Sequence, residues 1–366
     1  MDDQLQKIVQ PLLSWYDANA RVLPWRGNPT PYRVWVSEIM LQQTRVEAVK
    51  PYFERFTSEL PTVAALAAAP EEQLMKLWEG LGYYSRARNL QKAARAVVER
   101  YGGVLPEQPE ELLPLPGIGE YTAGAVASIA YGKPAPAVDG NVLRVLSRVT
   151  ASREPVGDLS VKRGFAERLR EIYPAGRAGA FTQSLMELGA IVCVPNAAPK
   201  CGECPLSALC AAHAQGIEQE LPVKAEKKKR TVEEKTVFLI LSGKKAALRK
   251  RPEKGLLAGL WEFPNTPGRL SSQQAADWLK ALGVSPVKIE RLPASKHIFT
   301  HREWHMANYL VTAKNAAPDG AAPDSAAPDG AAPDGGLVWA DREELAQTYT
   351  LPTAFQGCLR QFLSRS

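Results

Sequence analysis

Three groups of side chains in this sequence have the types and spacing to do chemistry. Glu38 lies within Trp35-Val36-Ser37-Glu38-Ile39-Met40-Leu41, a run otherwise suited to burial. A low dielectric disfavours the charged form, so a carboxyl buried there keeps its proton towards neutral pH and can act as a general acid. Turned outward, it is an ordinary helix glutamate. The second group begins at Leu115-Pro116-Gly117-Ile118-Gly119, where prolines hold off helix and two glycines permit close backbone approach. Residues 120–131 have helical composition, so bare amides at a helix N-terminus can face an anion such as phosphate; a plain helix–helix turn uses the same residues. Pro134 and Pro136 then keep the chain extended, and Asp139 precedes Gly140-Asn141-Val142-Leu143-Arg144, either as an N-cap or as a reactive carboxylate. The third group is Cys193-x7-Cys201-x2-Cys204-x5-Cys210, four thiols within eighteen residues. Such a compact set signals a metal centre, and zinc or a cubane iron–sulfur cluster is chemically possible. A structural zinc site usually has two Cys-x-x-Cys knuckles, and one is present.

The residues at 115–123, LPGIGEYTA, followed by VDGNVLR at 138–144, resemble the helix-hairpin-helix DNA glycosylase superfamily. Nearly the whole chain resembles its MutY-type branch, the adenine DNA glycosylases. The resemblance implies an all-α helix-hairpin-helix glycosylase domain with an iron–sulfur cluster loop, followed by an α+β Nudix-like domain. It also implies base-excision repair: adenine mispaired with 8-oxoguanine or guanine is flipped out of double-stranded DNA and its N-glycosidic bond hydrolysed. In that scheme Glu38 protonates adenine and ionised Asp139 stabilises the oxocarbenium-like sugar or bonds transiently to C1′, while Tyr121 and Asn141 orient Asp139 and the sugar through hydrogen bonds. Tyr121 stands where bifunctional relatives of the endonuclease III type carry a Schiff-base lysine, so little or no β-lyase activity is expected.

By the same resemblance, Trp25 and Arg26 lie at the adenine pocket and Gln183 reads an edge of the base. Gln43 and Tyr83 act as wedges beside the opened pair, and Arg86, Gly117 and Gly119 belong to the DNA-contacting set. Cys193, Cys201, Cys204 and Cys210 would hold a [4Fe-4S] cluster, with one residue more in the first loop than the family's Cys-x6-Cys. Phe299-Thr300-His301 aligns with the family's Phe-Ser-His. Oxidation at C8 of guanine puts a proton on N7 and makes it a donor, whose hydrogen bond a hydroxyl at 300 can accept; the extra methyl of threonine, compared with serine, puts the strength of discrimination in question. The rivals are a thymine-mismatch glycosylase on the same fold and a non-enzymatic iron–sulfur DNA-binding protein, which leaves Glu38 with no task.

These residues need scaffolds. Apolar spacing predicts helices over 5–20, from Pro31 towards Phe56, from Ser85 with a basic stripe of Arg88, Lys92 and Arg95, over 161–169 and over 180–192. The expected division is a helical domain at 1–220, a charged linker at 221–235 and a Nudix-like recognition domain at 236–366. In the last, strands are expected at 237–241, 246–249, near 287, over 297–311 and at 339, with helices over 272–282 and 343–363. Residues 270–283 lack the glutamate cluster with which a Nudix pyrophosphatase binds magnesium, which favours recognition over hydrolysis. Four AAPDG-type repeats at 316–335 cannot build a core, so a disordered insert is expected over 315–336.

At 366 residues the chain suits two domains. Its 45 Lys and Arg against 39 Asp and Glu leave +6, compatible with a polyanionic partner. No basic start precedes an apolar run and no stretch of eighteen apolar residues occurs, so neither signal peptide nor membrane span is expected. The expectation is a monomeric, cytoplasmic, nucleoid-associated bacterial protein. Four of five cysteines in one cluster point to metal chemistry rather than to disulfides, with Cys358 a helix-core thiol.

Overall fold

A computed structural model describes residues 3–224, 229–314 and 336–365; the repeats at 316–335 and residues 225–228 of the linker lie outside the described residues. The chain divides into two units: Met1–Ala69 with Ser85–Glu226, and Pro70–Tyr84 with Lys227–Ser366.

In the first unit, apolar side chains recurring at helical spacing build one core. Leu5, Ile8 and Leu12 pack with Val142 and Leu146 of the Gly140–Val149 helix and with Phe181, Leu185 and Leu188 of the Ala178–Ile191 helix. The first expected helix is two, Asp3–Lys7 and Val9–Asn19. The second is also two. Thr30 caps Pro31–Leu41, the chain turns through Gln43 at φ +58°, and Val46–Glu59 follows. What stops the first of these is remote: Nη1 of Arg86 donates to the carbonyls of Ile39 (2.7 Å), Met40 (3.1 Å) and Gln42 (2.6 Å). A guanidinium thus takes the carbonyls that the next helical turn would have used. Gly117, at φ +77°, makes the hairpin turn. Glu120–Ala125 then runs into a single π-turn, Val126–Ala130.

The second unit is a mixed sheet. Its strands are β1 (Thr231–Ser242), β2 (Lys245–Lys250), β3 (Trp261–Glu262), β4 (Asn265–Pro267), β5 (Pro286–Ile298), β6 (Arg302–Ala313) and β7 (Val338–Ala340). The order is β3-β2-β1-β6-β5, with β4 on β1 and β7 on β2; β1 and β6 run parallel from Thr231↔Arg302 to Leu241↔Thr312. Strand periodicity sends Val237, Leu239, Trp304 and Met306 to one face, against Phe355 and Phe362. Phe238, Ile240 and Val311 go to the other, against Leu279 of the Ser272–Ala281 helix. β1 starts inside the stretch expected to be linker. The charge of Glu233 is tolerated there because its carboxylate accepts from Arg302 Nη1 (2.7 Å) and Trp304 Nε1 (2.9 Å) across the ladder. The strand expected over 297–311 is instead the β5–β6 hairpin, with residues 299–301 at its tip. The helical stretch expected over 343–363 is likewise interrupted, as Arg342–Gln347 and Gln356–Leu363. Among the described residues no helix is long and apolar enough to cross a membrane.

Candidate active site

Glu38, Tyr121, Asp139 and Asn141, drawn from three separate elements, line one cavity of about 330 Å³ in the first unit, together with Arg26, Gln43 and Gln183. Glu38 is 5% exposed on the buried face of its helix. Burial pushes its carboxyl up to about 7; the hydroxyl of Tyr121, which donates to Oε2, opposes that rise, and the nearby Asp139 adds to it. Tyr121 is itself raised well above its ordinary value by burial and by Glu38, so it stays a donor.

Asp139 is the N-cap that its sequence position allowed, and its side chain also lines the cavity. It caps the Gly140–Val149 helix, Oδ1 accepting from Val142 N–H at 2.7 Å. Burial raises its pKa, opposed by that amide and by Asn141 Nδ2, which donates to Oδ2 at 2.8 Å. Asn141 is held in turn. Arg144 Nη2 donates to its Oδ1 (2.8 Å) and to Gly189 O (2.7 Å), while Nε donates to Cys193 O (2.7 Å). One chain of hydrogen bonds therefore runs from the cysteine loop to the Asp139 carboxylate. Gly189 allows the approach, since a Cβ there would lie 2.6 Å from Asn141 Cβ.

The same cavity is lined by Glu187 and Arg21, two residues without a counterpart among the expected site residues. Glu187, 1% exposed, accepts from Arg21 Nε at 2.6 Å and from Arg26 Nη2 at 2.8 Å. Burial alone would raise its carboxyl, but the hydrogen bonds from the two guanidinium groups outweigh it and hold the pKa at about 2. Arg26 Nε then donates to Gln183 Oε1 at 3.1 Å. The signal was available: Glu187 sits between Met186 and Leu188, as Glu38 sits in its own apolar run. Trp25 closes the cavity, its ring edge-on to Phe53 at 5.4 Å.

Other expected site residues lie elsewhere. Gly117 and Gly119 sit exposed on the hairpin, and Arg86 caps the Glu38 helix. In the second unit Tyr83, 45% exposed at φ +47°, shares a hydrogen bond with Thr300 through their hydroxyls at 2.9 Å. Phe299 packs edge-on against His297 (4.5 Å) and Trp304 (4.8 Å), leaving Thr300 and His301 exposed.

Cys193, Cys201, Cys204 and Cys210 line one small cavity with Arg148, whose Nη1 donates to Cys193 Sγ at 3.2 Å. Burial, Glu218 and the neighbouring thiols push Cys201 up to about 11; burial and its fellow thiols do the same to Cys204. Burial raises Cys210 as well, so three of the four thiols lining this cavity favour ionisation only beside a cationic group, and the four-sulfur donor set fits a tetrathiolate centre. Cys201, His213 and Glu218 also offer ligand atoms within 4.8 Å of one another at one corner.

Residues 36–171 match the HhH-GPD superfamily of base excision DNA repair proteins, and residues 236–361 match the NUDIX domain. The adenine DNA glycosylase of Rattus norvegicus is 36% identical, over 84% of this chain and 70% of the relative. That of Arabidopsis thaliana is 40% identical over 72% of this chain, which spans about half of that relative, 48%. Among solved structures, a thermostable thymine-DNA glycosylase superposes with a TM-score of 0.53 at 29% identity, over 58% of this chain and 98% of that one. With the helix-hairpin-helix unit, the Nudix-like unit and this extent of identity, the chain belongs to the adenine DNA glycosylase family.

Proposed function

We propose that this base-excision repair glycosylase hydrolyses the N-glycosidic bond of adenine mispaired with 8-oxoguanine or guanine in double-stranded DNA. The observation that carries the reading is the pairing, in one cavity, of a carboxyl raised to about 7 with a second carboxyl held by two donors, Val142 N–H and Asn141 Nδ2, the latter held in turn by Arg144. Cleavage of a glycosidic bond needs a better leaving group and a stabilised cationic sugar, which two carboxyls in different protonation states supply.

With adenine flipped into the cavity, Glu38 gives its proton to N7. The electron pair of the C1′–N9 bond leaves with the base, which departs neutral, and ionised Asp139 stabilises the sugar cation. Water then adds to C1′ and its proton passes to Asp139. Tyr121 fixes Glu38 and supplies no amine, so the outcome is hydrolysis without strand cleavage. Arg26 and Gln183 recognise the edge of the base, and Gln43 props the opened pair. The hairpin amides around Gly117 and Gly119 hold a phosphate, and Tyr83 with Phe299, Thr300 and His301 reads the opposing base. The four cysteines would hold a [4Fe-4S] cluster, which when bound anchors the loop that Arg144 contacts. Iron and acid-labile sulfide in the purified protein support that centre, and stoichiometric zinc without sulfide refutes it. The reading also includes a monomer acting in the bacterial cytoplasm.

Single-turnover assays on duplexes with adenine opposite 8-oxoguanine, adenine opposite guanine and thymine opposite guanine test it. Excision of adenine from the first two is expected. Excision of thymine alone overturns the assignment, and efficient borohydride trapping of a Schiff base overturns the hydrolytic mechanism.

A further inference from the structure

We propose that Lys76 and Glu79 are positioning residues for reading the base opposite adenine, fastening the Tyr83 turn against the Phe299-Thr300-His301 loop; the inference rests on the function proposed above.

Residues 70–84 fold with the C-terminal unit, and the fastening is visible atom by atom. The Glu71–Trp78 helix carries Lys76 in its last turn. Its Nζ donates to the backbone carbonyls of Leu345 (2.9 Å) and Tyr349 (3.3 Å) and pairs with Glu79 Oε2 at 2.6 Å. The other oxygen of Glu79, Oε1, accepts from Leu351 N–H at 2.7 Å. Leu345 lies near the C-terminal end of the Arg342–Gln347 helix, where carbonyls lack helical partners and a cation is favoured. The two side chains, 19% and 24% exposed, thus form one strap with main-chain partners on both sides.

The strapped segment is not remote from the reading loop. Leu345, Leu351 and Phe355 share a core with Trp304, and Phe299 packs on Trp304. Beyond Glu79 the chain turns sharply through Gly80 (φ +102°) and Gly82 (φ +69°) to Tyr83 (φ +47°). Trp78 Nε1 donates to Gly82 O at 3.1 Å, and Tyr83 meets Thr300 at 2.9 Å. A non-glycine residue at positive φ persists only where its surroundings over-determine it. The turn is gripped at one end by Lys76 and Glu79 and at the other by Thr300. Loosening the first grip lets Tyr83 relax and leaves Thr300 unsupported where its hydroxyl must accept a hydrogen bond from N7–H of the oxidised base.

The test compares full-length wild type, Lys76→Met, Lys76→Arg and Glu79→Ala in single-turnover excision of adenine opposite 8-oxoguanine and opposite guanine. Lys76→Met and Glu79→Ala are each expected to lower the ratio of the two rates about tenfold by slowing the 8-oxoguanine arm, the scale of a lost charged hydrogen bond. Lys76→Arg, which keeps the donors, restores the ratio. An unchanged ratio in folded Lys76→Met and Glu79→Ala overturns the proposal, as does equal slowing on both substrates, which marks a merely structural role. Should one of the two fail to fold, the other carries the comparison. If wild type excises adenine with no preference for 8-oxoguanine, it is the proposed reading of the opposing base by Thr300 that fails, and adenine excision itself stands. Amide exchange then judges the strap: faster exchange at both Leu351 and 299–301 in Lys76→Met supports it, and unchanged exchange at 299–301 overturns it.

Discussion

The proposed function asks Glu38 to be two incompatible things, a buried group and an acid, and the conflict has a measurable cost. Its folded pKa of about 7 lies above its ordinary 4.5, so the stability it contributes is fully present below about 4.5 and lost as pH rises through about 7. The difference is on the order of 3 kcal/mol at pH 8. Glu38→Gln should therefore be inactive in excision, more stable than wild type at pH 8 by that order, and little different at pH 4. Denaturant unfolding at the two pH values checks the sign, and a destabilised variant at pH 8 contradicts it. Wild-type excision should in turn decline above about pH 7 as the acid loses its proton, and a flat profile from pH 6 to 9 would remove Glu38 from that role. Glu38 was legible because a carboxylate interrupts an apolar run. Glu187 interrupts one equally, but its partner Arg21 is 166 residues away, and no local pattern announces a pair of that separation.

The elements around the cavity are shaped by contacts that their own sequences do not contain. Residues 42–45, Gln-Gln-Thr-Arg, hold neither glycine nor proline, so local propensity carries the helix onward from Leu41; the stop comes from Arg86. This makes two accounts of Arg86 separable. Were it mainly a phosphate contact, Arg86→Ala would reduce the salt slope of DNA binding by about 1. As a cap it should instead destabilise the protein by about 2 kcal/mol with the slope unchanged, because charged donors would leave Ile39 and Gln42 carbonyls unsatisfied. The capping outcome is expected, and a salt titration beside a thermal melt decides. The hairpin was the more legible element, since its turn is written in glycine. Gly117→Ala combines φ +77° with a Cβ 2.7 Å from Asn89 Cβ. It should weaken duplex binding by about 1–2 kcal/mol through the displaced turn, while a non-specific effect on the cavity would show as lost excision at saturating enzyme.

At the scale of the whole chain, the change from helical to strand periodicity was readable, and the partition of residues 70–84 was not. That segment reads as one more helix and corner of the N-terminal half, yet Lys76 bonds to Leu345 across 269 positions and Glu79 to Leu351 across 272. Composition has no access to such pairings, which exist only once both segments are folded. The partition predicts how a truncated protein behaves. All residues lining the large cavity lie in Met1–Ala69 and Ser85–Glu226, so a chain ending at Glu226 keeps Glu38, Tyr121, Asp139 and Asn141 with their partners. On the proposed function it should still excise adenine opposite guanine and lose the proposed preference for 8-oxoguanine, because Thr300 goes with the removed unit. The segment at 70–84 would lose the carbonyls and the amide that hold Lys76 and Glu79. Exposed backbone hydrogen bonds with few buried contacts open locally at low free energy. Amide exchange in the truncated chain should therefore rise at 70–84 and stay near wild type along Pro31–Leu41 and Gly140–Val149. Undiminished protection at 70–84 would mean that the segment is held by the helical half after all, and that Lys76 and Glu79 decorate a turn which does not depend on them.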